Sequence, residues 1–162
     1  MSTIEQLWRY PVKSLQGEQI TSTEVEDVVL GDRAWGILDS ETGKLLSAKR
    51  IPKLLEGSAK LVDDGCVLTF DDKEVHNNDP NINGDLSSWL NREVRLASPK
   101  LGEQATIEIE WDEGLDEVPD DPEIFEFSTS PGWFFDSSSS LHLIGSGTLS
   151  MLDARIGDGA GD

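Results

Sequence analysis

Three side chains that suit a phosphate lie close to the ends of predicted strands. Lys13 and Ser14 follow a proline that fixes φ and ends the first strand. Arg33 comes after a glycine turn, at the entry to another strand. Strand ends from distant parts of a small closed barrel meet at one rim, so we expect these groups to converge on one anion. Lysine contributes a point charge, arginine a planar fork of donors, and serine a short hydrogen bond.

The same cations admit a simpler interpretation. Lys13 and Arg33 are then surface cations paired with the abundant carboxylates, Asp32 among them. Lys49 and Arg50 form a second basic pair, which either lines the same rim or marks a solvated strand end. Spacing alone leaves both alternatives open.

Other residues that could bind a metal or take part in catalysis lack the partners that a recognised site needs. His76 and His142 have no second His, Cys or carboxylate at a known ligand spacing, so both are predicted to be surface or satisfied core residues. Cys66 lies in an alternating run and is predicted to be a packed structural thiol. The acidic group at 112–117 lacks the glycine and the terminal glutamate of a calcium loop. The sequence has no Walker loop, dinucleotide fingerprint or Cys/His metal cluster.

Alternating apolar residues and short polar turns predict a mainly β fold, a small barrel or sandwich with one or two short helices. Hairpin turns are expected at 41–44, 63–65 and 71–73. One helix is predicted within 84–92, with Asp85 or Ser87 as its cap and its apolar face closing one barrel end. The predicted strands span 3–9, 18–25, 34–39, 45–49, 58–62, 67–70, 92–96 and 105–109.

The charge of the chain argues against several functions. Its 162 residues include 13 Lys and Arg against 32 Asp and Glu, a net charge of −19, which repels nucleic acids and anionic membranes. The excess is spread over many segments, as expected of a protein from a salt-rich, halophilic cytoplasm. The start has no basic leader, and no run reaches the roughly 20 apolar residues of a membrane helix. A cytoplasmic location is therefore predicted, without nucleic-acid or membrane partners.

Composition changes twice along the chain, which predicts three parts. Residues 1–100 are expected to form the β-barrel domain, and residues 101–130, dense in carboxylates and without Lys or Arg, an acidic connector. Residues 131–162 are interpreted as the beginning of a second, β-rich domain, with a helix capped by Ser146 or Thr148. A domain that stops there is incomplete, so a truncated chain is predicted.

Three segments, in order and separation, resemble the N-terminal β-barrel domain that precedes the MOSC domain, the molybdenum cofactor sulfurase C-terminal fold. They are Leu7-Trp8-Arg9-Tyr10-Pro11-Val12-Lys13-Ser14, Gly31-Asp32-Arg33-Ala34-Trp35-Gly36-Ile37-Leu38-Asp39, and Thr42–Leu54. The part from Phe135 to Leu152 is similar to the start of the MOSC domain itself. This family includes the mitochondrial amidoxime-reducing component, bacterial relatives that reduce N-hydroxylated compounds, and the C-terminal part of molybdenum cofactor sulfurases.

The resemblance implies a molybdopterin site. Lys13, Ser14 and Arg33 are expected to contact the phosphate and pterin end of the cofactor, and Thr148 matches a family position near it that is commonly Ser or Thr. The intact protein is then an oxidoreductase or a sulfur-carrier protein, with a small-molecule substrate and an electron-donor protein or domain as partners.

The sequence departs from the family pattern at two points. The family's Arg-Phe-Arg-Pro-Asn segment and its molybdenum-ligating cysteine have no counterpart here. This chain is therefore expected to supply one wall of the cofactor site and to be inactive alone. The alternative is a non-enzymatic β-barrel module that binds another anion, or a protein, through the same rim.

Overall fold

The computed structural model describes residues 3–25, 29–99, 104–108, 124–128 and 141–159. Most of its regular elements are short strands, and a 3₁₀ helix at Pro52–Glu56 precedes the fourth of them. The strands are β1 (Leu7–Arg9), β2 (Glu18–Ile20), β3 (Gly36–Asp39), β4 (Ser58–Val62), β5 (Gly65–Phe70), β6 (Lys73–His76), β7 (Val94–Ala97), β8 (Gln104–Glu108) and β9 (Ile124–Ser128). The α-helices are α1 (Ile82–Leu90) and α2 (Ser146–Gly159). The expectation of a mainly β fold with short helices is confirmed.

The pairs formed by these nine described strands are all antiparallel. β1 pairs with β2, β3 with β7, and β8 with β9, while β4, β5 and β6 form a three-stranded meander. Across the described ranges the strands form small sheets, and they do not close into one continuous barrel. The sheets are therefore joined by loops and by isolated bridges, and one such bridge positions the candidate site described below.

Two tight turns build the meander. Phe70 pairs with Lys73, so the loop between β5 and β6 has two residues, Asp71 and Asp72, with φ of 47° and 59°. Positive φ at both positions is the type I′ turn, whose twist matches that of the flanking strands, and aspartate tolerates it. The predicted turns at 63–65 and 71–73 are confirmed, although β6 itself is missing from the predicted strands.

The core lies between the meander and α1. Every second residue of β5 is buried, which confirms the alternation that predicted the strand. The ring of Phe70 stacks on Trp89 of α1 with centroids 5.0 Å apart and planes at 25°. Gly57 makes room for this pair, because a Cβ there would lie 2.8 Å from Cη2 of Trp89. The helix begins at Ile82, two residues before the predicted window, with Asn81 rather than Asp85 or Ser87 at the N-cap position.

The predicted strand at 45–49 does not form. Leu45 makes an isolated bridge to Leu38, and the N–H of Leu46 donates to the carbonyl of Ile37 at 2.8 Å. Leu45 and Leu46 are both buried, so the period-two pattern of a strand breaks at its first step. Ser47 then begins a turn, because its carbonyl accepts from the N–H groups of the third and fourth residues after it.

β8 and β9 both lie within the stretch predicted to be an acidic connector. β8 contains most of the predicted strand at 105–109, and its Thr106 carbonyl accepts from the N–H of Leu45 at 2.9 Å. This hydrogen bond attaches β8 to the part of the chain that leaves β3. The proposed domain limits at 100 and 130 stay predictions.

α2 confirms the predicted helix near the end of the sequence. It begins at Ser146, so Ser146 and Thr148 both lie within the helix rather than capping it, and it continues past Arg155. Residues 141–156 are all exposed. Neither α1 nor α2 combines the length and the apolar character that a membrane-spanning helix needs.

Candidate functional site

Two distant segments, residues 10–13 and 33–35, lie side by side as a short parallel ladder. Val12 bridges to Trp35, and the N–H of Lys13 donates to the Trp35 carbonyl at 2.9 Å. One step earlier, the N–H of Arg33 donates to the carbonyl of Tyr10 at 2.6 Å. The ladder brings the backbones of Lys13 and Arg33 to one region of the fold, and the convergence of their side chains on one anion stays a prediction.

Lys13 and Ser14 occupy the middle of a tight turn. The N–H of Leu15 donates to the carbonyl of Val12 at 3.3 Å, and Ser14 has φ of 68°. Positive φ at the third turn position is the type II geometry, which normally takes glycine. A serine held there costs about 1 kcal/mol or more, so the surrounding contacts must stabilise it. Lys13 is only 7% exposed, which makes it a buried cation rather than a surface one.

Arg33 follows a second turn of the same type. Asp32 donates its N–H to the carbonyl of Val29 at 3.0 Å, and Gly31 has φ of 78°. A Cβ at Gly31 would collide with the side chain of Leu61, so both the turn and the packing require glycine. Arg33 itself has φ of 52°, which is unusual for a residue with a long side chain.

Asp32 joins these two segments through its carboxylate. Oδ1 accepts from the backbone N–H of Tyr10 and Oδ2 accepts from Nε of Arg33, both at 2.7 Å. The side chains of Arg33 and Asp32 are 16% and 10% exposed, so solvent screens this ion pair poorly. The pairing anticipated by the simpler interpretation is present, but it is largely buried and is not a surface contact.

A second ion pair fixes β1 and β2 beside the turn. Arg9 donates through Nε and Nη2 to Oε1 of Glu18 at 2.9 and 2.8 Å. The same oxygen accepts from the N–H of Leu61 in β4 at 2.9 Å. A single carboxylate oxygen thus connects both strands to the meander, and this holds the start of the ladder in place.

The other sequence-predicted residues lie elsewhere. Thr148 is exposed in the first turns of α2, and Lys49 and Arg50 are exposed in the turn that replaces the predicted strand. Nε2 of His76 lies 3.1 Å from Asp64 Oδ1. The structure thus brings together the backbones of Lys13, Ser14 and Arg33 in the ladder and its turn.

Cys66 and the acidic side chains do not form a metal site in the described residues. Burial raises the pKa of the Cys66 thiol to about 12, so it stays protonated and agrees with the predicted structural role. Across the described ranges no three His, Cys, Asp or Glu side chains cluster as a metal site would require. The acidic residues at 112–117 lie outside the described residues. An open groove of about 790 Å³ lies between α1 and β7, and the residues that line it do not include Lys13, Ser14 or Arg33.

The sequence alone indicates Asp32 only as one possible surface partner of Arg33. Its position directly after a glycine turn and directly before the arginine was the available signal. Local pattern does not reveal that the backbone of Tyr10 lies on the other side of this carboxylate. That contact depends on the long-range ladder between residues 10–13 and 33–35.

The fold and the site define a small, β-rich domain in which the turn at Lys13 and Ser14 lies beside Arg33. The model of the MOSC N-terminal beta barrel domain matches residues 1–107, and the chain belongs to this family. Domains of this family are found in molybdenum cofactor sulfurase-like proteins. A comparison with curated protein sequences gave no match, so the family model carries the assignment.

Proposed function

We propose that this chain forms the N-terminal wall of a molybdenum-cofactor site, with Lys13, Ser14 and Arg33 on the phosphate and pterin end of molybdopterin. The observation that carries the proposal is the parallel ladder, which places the Lys13–Ser14 turn beside Arg33 in a domain of the MOSC N-terminal family. Thr148 is proposed to approach the same cofactor in the intact protein.

The donor set fits an anionic group. It combines an ammonium, a guanidinium and a hydroxyl, with the carboxylate of Asp32 on the guanidinium, in a chain of net charge −19. Buried charges interact more strongly than exposed ones because less water screens them, and Lys13 is buried. A phosphate therefore finds a local attraction here that the rest of the acidic surface does not offer.

The molybdenum cofactor, which is molybdopterin with its bound metal, would supply the redox chemistry when bound. The residues of this chain bind and orient it. Lys13 neutralises phosphate charge, Arg33 donates hydrogen bonds from a planar fork, and Ser14 adds a hydroxyl donor. The turns around Ser14 and Arg33 are held by the ladder, so the backbone that carries these groups is fixed before the ligand arrives.

In the intact protein we propose an oxidoreductase that reduces N-hydroxylated or similar small substrates with electrons from a partner protein or domain, or else a sulfur carrier. A relation to the amidoxime-reducing proteins belongs to this proposal. The halophilic source and the cytoplasmic location predicted in the sequence analysis are also part of this proposal.

Metal and pterin analysis tests the proposal. The longest reading frame that contains this chain is expressed in cells that make molybdopterin, and the purified protein is assayed for molybdenum and for the oxidised pterin. One molybdenum and one pterin per chain support the proposal. Protein that is folded and free of both contradicts it, and phosphate binding by that protein would favour the alternative of a non-enzymatic anion-binding module.

A further inference from the structure

We infer that Asp32 is a positioning residue, which sets the guanidinium of Arg33 and the Lys13–Ser14 turn for an anion. The inference rests on the proposed function and adds a residue to it. Asp32 is a carboxylate and would repel an anion that it faced directly. Its role in anion binding must therefore be exerted through its neighbours.

The contacts of Asp32 reach both halves of the candidate site. Oδ1 is 2.7 Å from the backbone nitrogen of Tyr10, three residues before Lys13, and Oδ2 is 2.7 Å from Nε of Arg33. The carbonyl of Tyr10 in turn accepts from the N–H of Arg33. Both backbone polar groups of Tyr10 are therefore held by the Asp32-Arg33 dipeptide, and a shift of the carboxylate moves both halves together.

The bond to Nε restricts how the arginine can present its charge. A guanidinium has five N–H donors in one plane, and fixing Nε fixes the direction of that plane. Arg33 also has a left-handed backbone, a conformation that a residue with a long side chain adopts only where its surroundings hold it there. The carboxylate supplies that constraint from within the same dipeptide.

A second aspartate provides a matched comparison. Asp39 is also buried, with Oδ1 accepting from the N–H of Thr42 at 2.6 Å and Oδ2 accepting from Nε of Arg92 at 2.6 Å. Its layout repeats that of Asp32, one oxygen on a backbone N–H and the other on an arginine. Asp39 has no contact with the ladder among its hydrogen bonds, so its loss reports on stability alone.

Replacement by asparagine isolates the contact to the arginine. In Asp32→Asn the amide oxygen still accepts from Tyr10, while the amide NH₂ faces the Nε–H donor of Arg33. Inorganic phosphate is titrated into the 162-residue chain at fixed ionic strength, with chloride as the control anion, and backbone and arginine Nε–H resonances are followed by NMR.

We expect phosphate to shift the Lys13, Ser14 and Arg33 resonances of the wild-type chain. Asp32→Asn should weaken phosphate binding at least about tenfold, since one charge-assisted contact is replaced by a clash of donors. Asp39→Asn should bind phosphate within about twofold of wild type, because distant sites act independently. In an Arg33→Gln background, Asp32→Asn should cause no further loss.

The outcomes separate the two claims. Equal phosphate binding by the wild-type and Asp32→Asn chains overturns the positioning role and leaves the proposed function standing. A wild-type chain whose site resonances do not respond to phosphate overturns the proposed function instead. If Asp32→Asn does not fold, Asp32→Glu takes its place, because it keeps the charge and displaces the carboxylate by one methylene; wild-type affinity in that variant overturns the inference.

Discussion

The buried carboxylate of Asp39 gives a test of stability that is independent of any ligand. Its pKa falls from 3.8 to about 2, first because the N–H of Thr42 donates to it, then through the Thr42 hydroxyl and Arg92, against the opposing effect of burial. The perturbation is Asp39→Asn, which keeps the size and the acceptor for Thr42 and removes the charge. The matched control is Glu41→Gln, an exposed residue in the adjacent turn.

The direction of the pKa shift determines how the contribution of Asp39 to stability depends on pH. A carboxyl whose folded pKa is depressed stabilises the folded state above its unfolded pKa, and this contribution disappears as pH falls through the folded pKa. The fall from 3.8 to about 2 corresponds to about 2.5 kcal/mol as an upper bound. The Arg92 side chain is 48% exposed, so solvent screening reduces the expected loss to about 1–2 kcal/mol.

Urea unfolding followed by tryptophan fluorescence measures this loss. At pH 7 the free energy of unfolding of Asp39→Asn should lie about 1–2 kcal/mol below that of wild type, and Glu41→Gln within about 0.5 kcal/mol. The gap should close as the pH is lowered from about 4 to about 2. A difference in free energy of unfolding between wild type and Asp39→Asn that stays constant over this range would refute the stabilising role of the Asp39 charge. The absence of a difference at pH 7 would refute it too.

Three further predictions concern packing, a turn and salt. Cys66 should resist Ellman's reagent in the folded chain and react after denaturation, because burial raises its pKa to about 12; immediate labelling would contradict this. Gly31→Ala should destabilise the fold by about 1–3 kcal/mol in urea unfolding, and by more than Gly43→Ala, since both have positive φ but only Gly31 packs on Leu61. The free energy of unfolding should rise between low and molar salt, as screening relieves a net charge of −19; equal stability in both would reject the halophilic interpretation.

The sequence predicted the features that depend on local pattern. Alternation along 66–70 placed β5 and the buried Cys66, and paired aspartates at 71 and 72 marked a hairpin turn. The apolar spacing of Leu86, Trp89 and Leu90 placed α1 to within two residues at each end. These signals are local because turn geometry and one-sided burial act within a few residues.

Long-range pairing was the part that local pattern could not supply. The stretch at 45–49 has strand-forming residues, yet two consecutive leucines are buried and the chain turns at Ser47. Lys13 and Arg33 were expected to meet at the rim of a closed barrel, whereas in the structure an isolated parallel bridge between Val12 and Trp35 brings their backbones to one region. Such a bridge joins residues far apart in sequence and requires no hydrophobic periodicity in either segment.

The burial of the charged residues Lys13 and Asp32 could not be predicted from local pattern either. Lys13 is buried in a chain whose cations are few, and nothing in its neighbourhood in the sequence distinguishes it from an exposed lysine. Only the packing of the turn between β1 and β2 removes it from water. The same holds for Asp32, whose second partner is the backbone of a residue 22 positions away.

The most direct test of the account is the cofactor content of Arg33→Ala. The variant, the wild type and a control, Arg95→Ala, are prepared from the longest reading frame that contains this chain, in cells that make molybdopterin. Arg95 is exposed on β7, and its loss should leave molybdenum and pterin content unchanged. We expect Arg33→Ala to retain the fold and to lose most of its molybdenum and pterin, because the guanidinium that donates to the phosphate is gone. Full occupancy in a folded Arg33→Ala protein would contradict it.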